Sequence, residues 1–360
     1  MNTAIVVGAG ATLAEALTKR PSRAQTPPLD ATFFQLCDHA GLAGRDTVKR
    51  YMTSTYGLDS STGEFTMEQI FNYIHADASS GNPSDACLSA YWALMRMYAE
   101  AIRSTTNDLD GSSRDGIGAL LRFLLSSDPN ETVAFITFNQ DLVIERSIET
   151  TSAMAKYSAM PWNLARCYST EFSQFIRHAD RARFKTVTTA PRPRSTAVLK
   201  LHGSLNWVYT ARSATDRRNC IRNPGTRPIL YFNQQMPASM SYRENQRKLP
   251  LLPLIVPPIF EKTPRYRQQL SPVWAAAEQF LTDTERLIVF GYSFPDGDLA
   301  ARALFRRCFH RNTRLSEIHV IDPDPIAGAR IAQLTDASRT HIYRSLSAFR
   351  ESIEMLASLP

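Results

Sequence analysis

Three short clusters in this sequence combine residue types that can do chemistry. The first, Gly8-Ala9-Gly10-Ala11-Thr12, follows the apolar Ile5, Val6 and Val7 and precedes a helical pattern. Glycines there let the backbone approach a pyrophosphate, and a helix start presents N–H groups to it. A G-x-G after a strand also occurs as a plain tight turn, and the full G-x-G-x-x-G fingerprint is absent. The second cluster, Thr137-Phe138-Asn139-Gln140-Asp141, ends another apolar run. Asn139 and Asp141, two residues apart, can aim an amide and a carboxylate into one crevice, or they can form an Asx turn in which Asp141 caps a helix. The third is His202-Gly203, after the run Ala197 to Leu201. A histidine at a strand end can act as a general base or accept hydroxyl protons, with a pKa near neutrality, although a lone histidine is more often structural.

These groups meet only if the chain carries them to one edge of a sheet. Strand-length apolar runs occur at Thr3 to Val7, Val133 to Thr137, Ala197 to Leu201, Leu251 to Val256, Arg286 to Phe290, Glu317 to Ile321 and His341 to Tyr343. Helical patterns alternate with several of them: Leu13 to Lys19, Asp141 to Thr150, Tyr266 to Leu281, Asp298 to His310, Ile326 to Leu334 and Leu346 to Leu359. That alternation predicts an α/β fold, a doubly wound Rossmann-like parallel sheet in which all three clusters lie at carboxyl ends of strands, where ligands bind. Residues 30–130 hold helix-like periodicity and no good strand, far more than one crossover needs, and predict a large inserted helical subdomain. The core is then residues 1–29 and 131–360. A smaller insertion at 151–196 reads as helix (Glu171 to Phe184) plus a Pro/Arg-rich loop, and residues 210–250 read as a long irregular excursion.

Taken together and in this order, the clusters resemble the sirtuin family. Gly8-Ala9-Gly10-Ala11-Thr12 is similar to its G-A-G-x-S loop, Thr137-Phe138-Asn139-Gln140-Asp141 to its T-Q-N-x-D element, and His202-Gly203 to its H-G pair. Gly291-Tyr292-Ser293 resembles its G-T-S adenosine loop and Ile321-Asp322-Pro323-Asp324-Pro325 its I-N-x-x-P ribose element. Leu254 to Glu261 resembles the strand before its acyl-peptide groove. The resemblance spans residues 5 to about 325. It implies NAD as the bound dinucleotide. Asn139, His202 and Asp141 are then the catalytic group, and Gly8, Ala9, Gly10, Thr12, Asp30, Thr137, Gly291, Ser293 and Asp322 the cofactor-binding group. Asn139 would position ribose and water, His202 would serve the ribose hydroxyls as base or orienter, and Asp141 would face the nicotinamide carboxamide and the ribose. Asp322, where deacylases have Asn, would accept from both ribose hydroxyls and repel a 2′-phosphate.

Two departures shift the expected activity. The deacylases carry a zinc module with two C-x-x-C pairs, whereas Cys37, Cys87, Cys167, Cys220 and Cys308 cannot supply such spacing, so no metal is expected. The G-I-P-D-F-R loop of deacylases is replaced by Pro27 to Phe34. A zinc-free core with a large helical insertion resembles the bacterial sirtuin-like NADases of antiphage defence, which implies NAD hydrolysis, a homo-oligomer and a HerA-like ATPase as partner. An NAD-dependent deacylase and a silent NAD- or ADP-ribose-binding module stay open as alternatives.

Composition bounds the rest. With 360 residues, 43% hydrophobic and 21% charged, the chain has an ordinary globular make-up. The run Leu251 to Phe260 is too short for a membrane span and carries three prolines. With no secretory pattern and five unpaired-looking cysteines, the expectation is a cytoplasmic protein with reduced thiols. The net charge of +7 is uneven, because residues 166–270 hold 19 Lys and Arg against 5 Asp and Glu. That basic block suits nucleic acid, met directly or through the partner, an acidic protein surface or dinucleotide phosphates, or it is a solvated face.

Overall fold

The apolar runs whose residues are hydrophobic at consecutive positions, rather than at alternate ones, have to be covered on both faces. They are. The computed structural model describes residues 1–19, 26–27, 32–58, 65–127, 131–154, 168, 174–176, 196–210, 218, 220–221, 230–232, 241–244, 247–259, 263–295, 297–335 and 340–357. Strands β1 (Asn2–Val7), β2 (Thr132–Thr137), β4 (Ala197–Lys200), β9 (Arg286–Phe290), β10 (Glu317–Ile321) and β11 (Thr340–Tyr343) form one sheet of six, in the order β11-β10-β9-β1-β2-β4. All its pairings are parallel. In order of appearance that is the doubly wound 3-2-1-4-5-6 arrangement, with its switch point between β1 and β9. Helices α1 (Ala9–Lys19), α6 (Ile117–Ser127), α7 (Val143–Ser152), α8 (Thr263–Thr282), α9 (Leu299–Arg311), α10 (Pro325–Leu334) and α11 (Leu346–Ala357) accompany it. Ala4 to Val7 of β1 are fully buried in a cluster with Leu120, Leu124, Ile136, Leu287 and Val289.

Helices α2 (Phe33–His39), α3 (Arg45–Tyr56), α4 (Met67–Ala78) and α5 (Asp85–Thr106) build a second cluster around Phe33, Met52, Ile70, Phe71, Leu94 and Met97. Their starts are written in sequence: Thr66 and Gln69 form a reciprocal capping box on α4, and the Ser84 hydroxyl accepts from Cys87 N on α5. Leu205, Ile255 and Ile259 extend this cluster to strands β5 (Gly203–Thr210) and β8 (Arg247–Ile255) and the turn that follows, so the helices rest on the second half of the molecule. Helix α6, by contrast, packs into the core of the parallel sheet through Ile117, Leu120 and Leu121.

Four expectations need correcting. The strand expected at Leu251 to Val256 belongs to a separate sheet of five, β3 (Gln174–Ile176), β6 (Leu230–Phe232), β5 (Gly203–Thr210), β8 (Arg247–Ile255) and β7 (Ser241–Glu244), in that order. The expected irregular excursion at 210–250 therefore contains β6, β7 and half of β8, paired antiparallel. The helix expected from Glu171 to Phe184 contains β3, which pairs in parallel with β6, so the insertion at 151–196 is not helix and loop alone. Helix α1 also begins at Ala9 rather than near Leu13, which makes the glycine turn its first turn. Asp30, Cys167, the loop 190–195 and most of the basic block lie outside the described residues. Among the described residues no helix is long and apolar enough to cross a membrane.

Candidate active site

The switch point is built by close backbone contact. Gly291, just past β9, has φ +61°, and a Cβ there would lie 2.1 Å from Ala11 N. Only glycine lets the β9 loop approach α1 this closely. The Gly10 N–H donates to Gly291 O at 2.9 Å, Gly8 N–H to Phe290 O at 3.0 Å, and Ala11 N–H to Gly8 O at 3.1 Å. The glycines of both loops thus serve first to lock α1 against β9. A pyrophosphate there would meet the positive end of the α1 dipole rather than these three donors.

Next to this lock, a cleft of about 460 Å³ opens at the carboxyl ends of the strands. Ala9, Gly10, Thr12, Asn139, Asp141, His202, Gly291, Ser293 and Asp322 all line it, so nine of the twelve residues singled out from sequence meet in one place. Gly8 and Thr137 stand directly behind the wall. Thr137 hydroxyl donates to Val7 O at 2.9 Å and accepts from Asn139 N at 3.0 Å, which fixes the turn after β2 against the end of β1.

The Asn139 amide Nδ2 donates to Gly8 O at 2.8 Å and to Thr12 Oγ1 at 3.0 Å. The Thr12 hydroxyl in turn donates to Asp141 Oδ2 at 2.9 Å, and Asp141 Oδ1 accepts from Val143 N at 3.0 Å. Asp141 thus closes an Asx turn just before α7, whose N-cap is Leu142, and it also ties that start to α1. Both of its oxygens have protein partners, so it organises the wall more than it offers a free carboxylate. Below it, the buried Lys200 ammonium binds Asp141 O and, at 3.0 Å, Glu145 Oε1, which also accepts from Tyr168 hydroxyl at 2.6 Å.

His202 sits where the chain leaves one sheet for the other, between β4 and β5. Gly203 has φ +77°, and a Cβ would come 2.0 Å from Leu254 O, so the His-Gly pair is a requirement of this crossing. His202 O accepts from Val256 N at 2.9 Å. Its ring meets Phe138 edge to face at 5.0 Å, and its Nε2 lies 3.9 Å from Asp298 Oδ2. Phe138 stacks in turn on Tyr292 at 4.6 Å.

Sequence reasoning missed several wall residues. Glu68, Tyr98, Ile102 and Thr106 come from α4 and α5, so the helical insertion supplies part of the cleft. The Tyr98 hydroxyl donates to Gln140 Oε1 at 3.1 Å. Asp298 was read only as a helix start, and its position in the loop after β9 is the signal that could have found it. Five carboxylates line the cleft, Glu68, Asp141, Asp298, Asp322 and Asp324, and no Lys or Arg does so among the described residues. Burial pushes the Asp322 carboxyl above the usual carboxylate range, against the Asp324 N–H that it accepts at 2.9 Å. Asp324 itself caps α10 through Ile326 N at 3.0 Å. Among the described residues no three His, Cys, Asp or Glu side chains cluster as a metal site.

No family model matches the chain, and no curated protein does. Among solved structures it is similar to a mutant Sir2 homologue complexed with ADP-ribose, at 14% identity over 99% of this chain and 94% of that one, with a TM-score of 0.37. It is similar also to a structure that addresses the mechanism and regulation of Sir2 enzymes, at 12% identity over 99% and 93% with a TM-score of 0.40. A third is Sir2 with the inhibitor EX-527, 2′-O-acetyl-ADP-ribose and a deacetylated p53 peptide, at 11% identity over 99% and 94% with a TM-score of 0.32. Scores of this size add nothing to the reading of the cleft, whose chemistry rests on its own residues and on the doubly wound α/β sheet that carries them.

Proposed function

We propose that the cleft binds NAD and hydrolyses its nicotinamide–ribose bond, releasing ADP-ribose and nicotinamide. The observation that carries this reading is the juxtaposition of Asn139 and His202 in a cleft that five carboxylates and, among the described residues, no Lys or Arg line, at the switch point of a doubly wound sheet. Cleavage of the C1′–N bond sends the bonding pair to nicotinamide, which leaves neutral, and builds positive charge on the ribose. Cleft carboxylates facing that ribose would stabilise the charge most when it is fully developed, which is where electrostatic catalysis acts. A water oxygen then bonds to C1′ and its proton leaves through His202, so that NAD and water give ADP-ribose, nicotinamide and one proton.

Asn139 is held by three partners in the turn after β2 and is suited to orient the ribose and the water. Gly291 and Ser293 would flank the adenosine ribose and Asp322 would accept from its hydroxyls. Zinc has no role in this scheme, and elemental analysis finding one zinc per chain would remove that part of it.

An unrestrained NAD hydrolase would exhaust its own cell, so the reading includes gating by assembly or by a partner. Antiphage defence by NAD depletion, in a homo-oligomer with a HerA-like ATPase, is the setting that the sequence resemblance supports. Because α4 and α5 contribute to the cleft wall, a partner that shifts them would alter the site directly. Incubating the protein with NAD, with and without an acylated peptide, and resolving the products tests the reaction. Free ADP-ribose without peptide supports it, whereas nicotinamide release only with the peptide points to deacylation instead. Mass in solution and turnover across salt and protein concentration test the gating.

A further inference from the structure

Asp298 occupies the N-cap position of α9, and an aspartate there ordinarily turns its carboxylate back to accept from the first helical N–H groups. In this protein the side chain makes no capping hydrogen bond. It is 3% exposed and lies in the cleft instead, where Oδ2 accepts the Tyr292 hydroxyl at 3.0 Å and stands 3.9 Å from His202 Nε2. Giving up a cap for a buried position near an imidazole is unfavourable for the helix alone. It has a purpose if the carboxylate acts on the histidine.

We infer that Asp298 is a positioning residue for His202: it orients the imidazole and favours its protonated form, with Tyr292 fixing the carboxylate from the other side. The inference rests on the NAD-hydrolase reading for its place in catalysis, but the pair itself does not depend on the reaction. The distance of 3.9 Å is within ion-pair range and longer than a hydrogen bond, as catalytic contacts often are before substrate tightens them. Tyr292 is itself held by Phe138, stacked at 4.6 Å, and by Phe294, edge to face at 4.5 Å. The same Phe138 meets the His202 ring, so imidazole, phenol and carboxylate share one aromatic wall.

Among the described residues, the other titratable groups of the cleft come from four directions. From the turn after β2, Asp141 is tied to Thr12 and Val143 N. From α5, the Tyr98 phenol is given to Gln140, and from α4, Glu68 stands on the cleft wall. From the loop after β10, Asp322 and Asp324 accept the backbone N–H groups of Asp324 and Ile326. The stretch after β8 that touches His202, Val256 to Pro258, carries no charge.

The test is an NMR titration of the His202 imidazole in ¹⁵N-histidine-labelled protein, assigned with His202→Gln, compared with Asp298→Asn. A carboxylate neighbour favours imidazolium, so its loss moves the His202 midpoint down by about one pH unit. Asp298→Ser, which supplies a good N-cap for α9, gives the same shift and keeps the test valid if the Asn variant folds poorly. In turnover, both variants lower kcat/KM about tenfold or more and move its acid limb down by the same amount. A His202 midpoint unmoved in both folded variants overturns the pairing. A moved midpoint in a protein that never cleaves NAD keeps the pairing and removes the proposed reaction instead.

Discussion

Thr12 and Asp141 are 129 residues apart in sequence, and the Thr12 hydroxyl donates to the Asp141 carboxylate at 2.9 Å. This one bond ties the first turn of α1 to the start of α7. Through the Asn139 amide, which donates to the same Thr12 oxygen, it also sets the proposed catalytic side chain.

Replacing Thr12 by Val keeps the shape and removes both halves of that bridge. It leaves an aspartate oxygen and an amide proton without their partner in a buried place, at a cost of about 1–3 kcal/mol. The expected result is a lower Tm together with a turnover loss larger than the stability loss explains. Denaturant melts and initial rates on the same preparation measure both, and an unchanged rate would separate Asn139 from Thr12.

Lys200 and Glu145 are an almost completely buried ion pair under the site, side chains 1% and 2% exposed. Removing one charge strands the other, which costs about 3–5 kcal/mol, while replacing both by apolar residues is closer to neutral. Lys200→Met should therefore unfold the protein much more readily than Lys200→Met combined with Glu145→Leu. Equal destabilisation of the single and the double variant would mean that the two charges do not depend on each other.

Burial raises the Asp322 carboxyl, so the charge that would repel a 2′-phosphate develops only as pH climbs past the usual carboxylate range. Discrimination against NADP should strengthen with pH through that window and then level off. Asp322→Asn should cut the NAD-over-NADP preference about tenfold, the effect of roughly 1.4 kcal/mol. Competition assays with the two dinucleotides at several pH values give the answer, and a preference that Asn leaves intact would place the adenosine ribose elsewhere.

Glu15 on α1 is fully buried, and desolvation raises its pKa despite the Ser113 N–H that it accepts at 3.3 Å. A carboxyl that holds its proton more tightly folded than unfolded favours folding below the unfolded pKa. That advantage is lost as pH rises through the folded value. Glu15→Gln should accordingly raise Tm at neutral pH and have little effect near pH 4, as thermal melts across pH would show. A variant less stable at neutral pH would mean that the ionised Glu15 contributes a favourable contact.

The parallel sheet was legible because its strands are covered on both faces and read as continuous apolar runs, from Ile5 to Val7, Phe135 to Thr137 and Leu287 to Phe290. The clusters that end those runs were legible for the same reason, since a doubly wound sheet brings every strand's carboxyl end to one edge. The second sheet was not legible. Ser204 and Asn206 on β5 are polar yet fully buried, satisfied by each other at 2.6 Å and by Tyr168 at 3.3 Å, so β5 shows no clean alternation. Pro250 and Pro253 further disguise β8. The partners of β3 and β6 are far apart in sequence, and three-residue strands leave no period to read. Asp298 escaped notice because an aspartate before a helix already has a sufficient reason to be there.

The most direct measurement of NAD cleavage is the product analysis of NAD incubated with the protein, with Asn139→Ala and His202→Ala beside it. Hydrolysis at Asn139 and His202 predicts ADP-ribose and nicotinamide in equal amounts from the protein without any acyl substrate. It also predicts a loss of about a hundredfold or more in each variant while thermal melts show the fold intact. Folded variants that cleave NAD at the native rate, or a native protein that binds NAD and leaves it whole under every condition of salt, concentration and assembly, would contradict it.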